Sequence, residues 1–351
     1  MIPENEILFI CTRKDFGVKH QEQVIRLCNE FTIDWKILCL TALHHRVAPL
    51  IYYNLSKCDD LTTKIDQETI KNFKFHILNN HLCKSEQEKK ITEALLYFHK
   101  EDVKIMLVKG AALNFTIYKD CPWHVIGDID LILNIKREDI TNEKYQEYVD
   151  FFRSIKSKLT IEWELFDHDD ISISKGLPIN FDQIFERAIE AKFKEQKVLI
   201  MCPEDMLLTA CIGCYRKKFF RLKSLLDLTN IINYYQEFNW DQLIFNAKKY
   251  ECSEMVYASL VATTSILKCE IPQNVLNDLK INPFRRVLIH NIINYYPKNL
   301  PLLELLSDQC LNIGRSKINV SRILRMVTFR QFPYISKKIS QTISVNSFFA
   351  R

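Results

Sequence analysis

The chain has 351 residues, 47% of them apolar, with only six glycines and ten prolines. That is enough to bury one sizeable core with additions or two domains, and it argues for compact, mainly helical structure with short loops. The net charge of +5 is uneven: eight Lys and Arg and no acid follow Asp308, so the tail carries +8 and the rest −3. A chain so balanced outside its tail is not composed like a binder of long nucleic acid. No apolar run approaches the length of a membrane span, and the first residues lack a basic start followed by an apolar stretch, so neither a membrane anchor nor a signal peptide is expected. Twelve cysteines without a framework spacing are expected to be reduced thiols, which points to the cytoplasm.

Residues 1–66 read as helical. Asp34-Trp35 marks a helix start, and Val47-Ala48-Pro49-Leu50 opens the next helix, with Ile51, Tyr52 and Leu55 on its apolar side. A long helix, with one break allowed, is expected over 67–100, carrying Ile70, Phe73, Leu78, Leu82, Ile91, Leu95 and Phe98 at helical spacing. It leads into the run Ile105-Met106-Leu107-Val108, which suits a buried strand. That strand ends at Lys109-Gly110, where glycine permits a sharp turn, and Ala111 begins a helix. Free N–H groups at such a start favour an anion.

Gly127-Asp128-Ile129-Asp130-Leu131-Ile132-Leu133 follows. On a strand, alternation places Asp128 and Asp130 on one face and Ile129, Leu131 and Leu133 on the other. A charged helix over 138–158 returns to a further alternating strand at 159–166, with Ile161, Trp163 and Leu165 inward and Glu162 and Glu164 outward. If that strand pairs beside the aspartates, Glu162 completes a cluster of three carboxylates. Such groups at about 4 Å repel by roughly 4 kcal/mol per pair at an effective dielectric near 20. They stay ionised together only around divalent cations, and hard oxygen donors select magnesium or manganese. These three residues are therefore the candidate catalytic and metal-binding set. Lys109, Gly110, Ala111 and His124 are candidates for the phosphates of a nucleotide, although a loop histidine such as His124 is more often structural.

From residue 181 the pattern is helical again, apart from a strand-like Lys197-Val198-Leu199-Ile200. Lys217 and Arg221, with Lys218 and Lys223, offer cations that could face a triphosphate; the same pattern also suits the outer face of a helix. Cys211-x-x-Cys214 has metal-like spacing, but it lies in an apolar helical run without a second pair and is expected to be packing. The acidic loop Asp167-His168-Asp169-Asp170 is expected to be solvated turn. Residues 33–55 align with 238–260 at an offset of 205, matching Trp35 with Trp240, Leu38 with Leu243, Ala42 with Ala247, Tyr52 with Tyr257 and Leu55 with Leu260. Two similar helix pairs are expected.

LVKGAAL, GDIDLIL and IEWEL together resemble the uncharacterised nucleotidyltransferase family of the DNA polymerase beta-like superfamily. The resemblance is specific over about 103–166 and looser in the helical flanks. It implies an α+β fold: a small mixed β-sheet nucleotidyltransferase core over 67–180, an N-terminal helical region over 1–66, and a C-terminal helical domain with a basic tail over 181–351. It also implies magnesium- or manganese-dependent use of a nucleoside triphosphate such as ATP. A nucleoside monophosphate would move to an acceptor hydroxyl on a small molecule, peptide or protein, with release of pyrophosphate. By position, Asp128, Asp130 and Glu162 would be the metal ligands, and Lys109 and Gly110 would lie at the triphosphate turn. The chain departs from the superfamily's usual turn at Ala111, where Ser or Gly is usual, and from the family at His124, where Arg is frequent, and at Glu164, where His is usual. The two histidines of the family's downstream helix have only Cys214, Lys218 or their neighbours here. Two alternatives stay open: a catalytically weakened nucleotide-binding protein on the same fold, and a phosphotransferase.

Overall fold

The computed structural model describes residues 2–295 except 60, 126, 128, 136–138, 156–175 and 218–220. The chain divides into two compact units, Met1–Glu304 and Leu305–Arg351. The second, with the basic tail, lies outside the described residues.

The first unit opens with four helices: α1 (Pro3–Cys11), α2 (Val18–Glu30), α3 (Trp35–His44) and α4 (Ala48–Leu55). Asp34 caps α3, its carboxylate accepting from the Ile37 N–H at 2.9 Å, and so satisfies one of the donors a helix start leaves open. Helix α5 (Gln67–Lys100) runs 34 residues without a break, since no proline or glycine interrupts it. Its C-terminal half buries Ile91, Leu95 and Phe98, and Phe98 stacks on Phe152 of α7 (Asn142–Ile155). The apolar face read from sequence is not continuous: Leu78 and Leu82 are 60% and 62% exposed. Periodicity marks a face, but only a neighbouring element can cover it.

The sheet has the order β2-β1-β4-β3. Strand β1 (Ile105–Val108) pairs antiparallel with β2 (Asp130–Leu133), setting Val108 opposite Asp130, and parallel with β4 (Gln196–Ile200). All four residues of β1 are buried, which explains a continuous apolar run instead of alternation. Helix α6 (Lys109–Phe115) follows β1 directly. After α8 (Phe181–Glu186), strand β3 (Ile189–Phe193) pairs antiparallel with β4 across the two-residue turn Lys194-Glu195. The sequence reading missed β3, because an edge strand with mostly exposed side chains carries little hydrophobic signal. The strand expected at 159–166, with Glu162 and Glu164, lies outside the described residues.

The chain continues through α9 (Pro203–Arg216), α10 (Leu222–Tyr234), α11 (Trp240–Lys249), α12 (Ser253–Leu267), α13 (Gln273–Asp278) and α14 (Pro283–Tyr295). The class is α+β. The repeat is deeper than the sequence alignment: α11 and α12 begin 205 residues after α3 and α4, and their caps coincide, with Asn239 accepting from Gln242 N–H as Asp34 does from Ile37. Arg46 and Glu251, at equivalent places past α3 and α11, both take left-handed backbone with φ of 56° and 54°. The following N–H closes each helix end on Ala42 or Ala247 at 2.9 Å. The match extends to α1 and α9, both opened by Pro-Glu. Glu4 accepts from Asp34 N–H, Glu204 from Asn239 N–H. Asn54 of α4 donates to the Cys11 carbonyl, and Ser259 of α12 to that of Cys211. Cys211 and Cys214 are buried inside this second quartet, and no metal-binding group of side chains occurs among the described residues.

A candidate phosphate and metal site at the end of strand β1

The register of β1 and β2 decides what faces the end of the sheet. Asp130 is the first residue of β2, opposite the last residue of β1, so its carboxylate emerges where the chain leaves β1 for α6. There Lys109 Nζ donates to Asp130 Oδ1 at 2.9 Å. The left-handed residue of this turn is Lys109, at φ 50°, and not Gly110 as the sequence suggested. A non-glycine residue in that region costs about 1 kcal/mol, which the Asp130 ion pair helps offset. Gly110 and the buried Ala111 lie in the first turn of α6.

The second quartet brings further cations to the same place. Lys217 ends α9, and Arg221 and Lys223 begin α10. Although Lys217 is exposed by area, the protein crowding its ammonium, then Lys109 and Lys223, push its pKa below the ordinary lysine value; Asp130 pulls the other way and Arg221 adds to the downward push. Lys109, Lys217, Lys223, Arg221 and Asp130 thus share one electrostatic neighbourhood. Lys218, beside Lys217, lies outside the described residues, as does Asp128.

His124 has a different place from the one its sequence position suggests. It is 3% exposed, stacks on Tyr118 at 3.7 Å between centroids, donates through Nε2 to Asp227 at 3.1 Å, and meets the Asn114 side-chain amide at Nδ1. Both ring nitrogens are thereby engaged inside the protein, which leaves neither for a phosphate oxygen. Burial and then the Lys223 charge push its pKa down to about 4, so the ring is neutral near pH 7. Asp227 gathers the network. Burial alone would raise its pKa, but Lys223 at 2.7 Å and His124 hold it far below the usual carboxylate range. It also accepts from the Tyr118 hydroxyl at 2.9 Å, whose oxygen accepts from Asn230.

These contacts set the loop between α6 and β2. Asn80 donates to the carbonyls of Pro122 and His124, and the Gln87 amide to that of Gly127. A Cβ on Gly127 would stand 3.2 Å from Arg46 Nη1, so the small residue before Asp128 lets a guanidinium from the first quartet lie against the motif. Sequence reasoning missed Arg46. Its only local signal is a position between two helices, and nothing in that pattern says which loop it will meet.

The comparisons with known proteins bear on the family of the chain. A model of the family described as uncharacterised nucleotidyltransferase matches residues 32–268. The chain belongs to that family. The match spans α3 through α12, so both repeated helix pairs fall within it. No curated protein matches. Among solved structures, the chain is similar to an antigenic nucleotidyltransferase-like protein from Paracoccidioides brasiliensis, at 16% identity and a TM-score of 0.37, over 55% of this chain and 96% of that one. A likeness of that size carries no argument here, and the family assignment rests on the family model.

Proposed function

We propose that this nucleotidyltransferase-family chain moves a nucleoside monophosphate from a nucleoside triphosphate, ATP among them, to an acceptor hydroxyl and releases pyrophosphate. The observation that carries the reading is the set of cations about Asp130. Three basic side chains, Lys109, Lys223 and Arg221, add to burial in depressing the pKa of a fourth, Lys217, and the repulsion among them is one that an anion relieves; a triphosphate supplies several charges at once.

Asp130, with Asp128 and Glu162 from the sequence motif, would hold magnesium or manganese. The all-oxygen donor set suits those hard ions, and Lys109 at 2.9 Å marks where Asp130 already receives positive charge. When bound, such an ion supplies neutralisation of phosphate charge and a more acidic acceptor hydroxyl. Lys109, Lys217 and Arg221 bind the distal phosphates, with Lys223 adding charge while pinned to Asp227. Gly110 and Ala111 let the chain pass close to them. Glu162 orients the acceptor hydroxyl and takes its proton. His124 holds the loop in place instead of touching phosphate. The acceptor class stays that of a small molecule, peptide or protein. The proposed setting is the cytoplasm, with no membrane partner; among the described residues no helix is long and apolar enough to cross a membrane.

The test is a screen of the purified protein for pyrophosphate release from each of four nucleoside triphosphates with magnesium and a metabolite extract, followed by the mass of the adduct. Asp130→Asn is expected to lower turnover at least 100-fold with an unchanged circular dichroism spectrum; unchanged turnover ends the mechanism. Nucleotide binding without pyrophosphate release would instead indicate a weakened binding protein, and release of a nucleoside diphosphate a phosphotransferase.

A further inference from the structure

We propose that the cleft between α5, α6 and the β3–β4 hairpin is a binding site for a small organic anion that has a flat apolar body. The cleft encloses about 410 Å³, within the range of small-molecule sites. Its floor includes Ile91, Phe115 and Phe193; the two phenylalanine rings meet edge to face, 5.7 Å apart at 85°. Lys84, Lys119, Lys192 and Lys194 surround this floor. Glu88 is the one carboxylate among the lining residues, and it pairs with Lys194 at 3.7 Å, so the lining carries a net +3. Lys84 Nζ donates to the Lys119 carbonyl at 3.4 Å, which brings two of the lysines into neighbouring positions on the wall.

These two properties select the ligand together. Like charges around a confined space repel, and an anionic group relieves that repulsion. An inorganic anion satisfies the rim but leaves the aromatic floor wet, while a neutral aromatic fills the floor and leaves the charge unmet. A phosphate or carboxylate carried on a planar apolar group meets both, with the lysines also able to lie over the ring.

The cleft is distinct from the Lys109–Asp130 site. Ala111, Asn114 and Phe115 of α6 line it, whereas Lys109 is not among the lining residues and its ammonium is held by Asp130. The two are nevertheless joined through the walls: Gln87 lines the cleft and donates to the Gly127 carbonyl, and Asn114 lines it and meets His124. An occupant therefore sits one layer of side chains from the loop that leads into the two aspartates. Binding in the cleft needs neither metal nor nucleotide and does not depend on the transfer reaction.

Calorimetric titration of the full chain with 1-naphthyl phosphate, in the absence of nucleotide and divalent metal, tests it. One site per chain is expected, with inorganic phosphate and 1-naphthol each at least tenfold weaker. The exposed pair Lys119→Glu and Lys192→Glu, combined, should weaken the naphthyl ester at least tenfold while the thermal melt stays that of the parent; Lys192→Gln alone, should the double variant not fold, should weaken it about threefold. Lys109→Ala should leave affinity within twofold. The proposal is overturned if the ester does not bind, if these cleft substitutions leave its affinity unchanged, or if Lys109→Ala abolishes binding and so places the ligand at the other site.

Discussion

The helical quartets α1–α4 and α9–α12 share helix starts, caps, left-handed helix ends and a hydrogen bond from the fourth helix to a backbone carbonyl of the first, yet they serve the sheet differently. The first packs α3 and α4 on the long helix α5 and extends one guanidinium, Arg46, to Gly127. The second packs α9 on α6 and supplies the charged network of Lys217, Arg221, Lys223 and Asp227. Where Arg46 stands in the first, Glu251 stands in the second. What is alike is the backbone framework that any such quartet needs; what differs is the chemistry at surfaces that happen to meet the loop before β2. Duplicated scaffolds can thus diverge in function at a few loop and helix-start positions without disturbing the shared packing.

The largest expected asymmetry lies in the second helices, where Asp227 of α10 corresponds by alignment of the helix starts to Gln23 of α2. Asp227→Ala leaves Lys223, His124 and Tyr118 without their shared acceptor and should cost about 3–5 kcal/mol, as loss of one partner from a buried charged network does. Gln23→Ala, at a partly exposed position, should stay within about 0.5 kcal/mol. Urea unfolding of the two variants measures the contrast, and equal losses would erase it.

Acid should attack the same side. The folded-state pKa of His124 lies below its unfolded value, so the unfolded chain takes up the proton first. The stability from a neutral His124 is fully present above about pH 6.5 and drains away as the pH falls toward 4, on the order of 3 kcal/mol in all. His124→Asn should flatten this part of the melting-temperature profile; a slope as steep as the parent's would place the proton uptake elsewhere.

The smallest effects probe what the quartets share. Asp34→Ala and Asn239→Ala each remove a helix cap and should cost about 1 kcal/mol, alike to within a few tenths. A twofold difference in their denaturation midpoint shifts would mean that the two starts are equivalent in geometry only.

Much of the framework was legible in the chain. The run 105–108, the cap at Asp34, the start at Val47-Ala48-Pro49 and the Trp35/Trp240 repeat all report local physics: strand burial, capping and helical period. Strand β3 was not legible, since its residues face solvent and its place depends on pairing with β4. In the site, the nearness of Asp130 and Lys109 was implied by strand–turn–helix order, but the left-handed residue was misplaced: glycine is the residue that takes that backbone at least cost, yet Lys109 takes it, with its ammonium on Asp130. His124 looked like a loop residue, structural or facing phosphate; Tyr118, Asn114 and Asp227, up to 103 residues away, decide for the structural place and turn it inward.

The amino-acid order alone determined most helices and the buried strand 105–108, and which carboxylates and lysines stood at their ends, because those choices depend on contacts within a few residues; the edge strand β3 was the exception. Only the tertiary structure decided that Arg46 rests on Gly127, that Asp227 unites three donors, and that four lysines from α5, the loop after α6 and the β3–β4 hairpin surround one aromatic floor. Those arrangements join residues tens to more than a hundred positions apart, and electrostatics and packing at that separation depend on how whole elements dock, which no local pattern records.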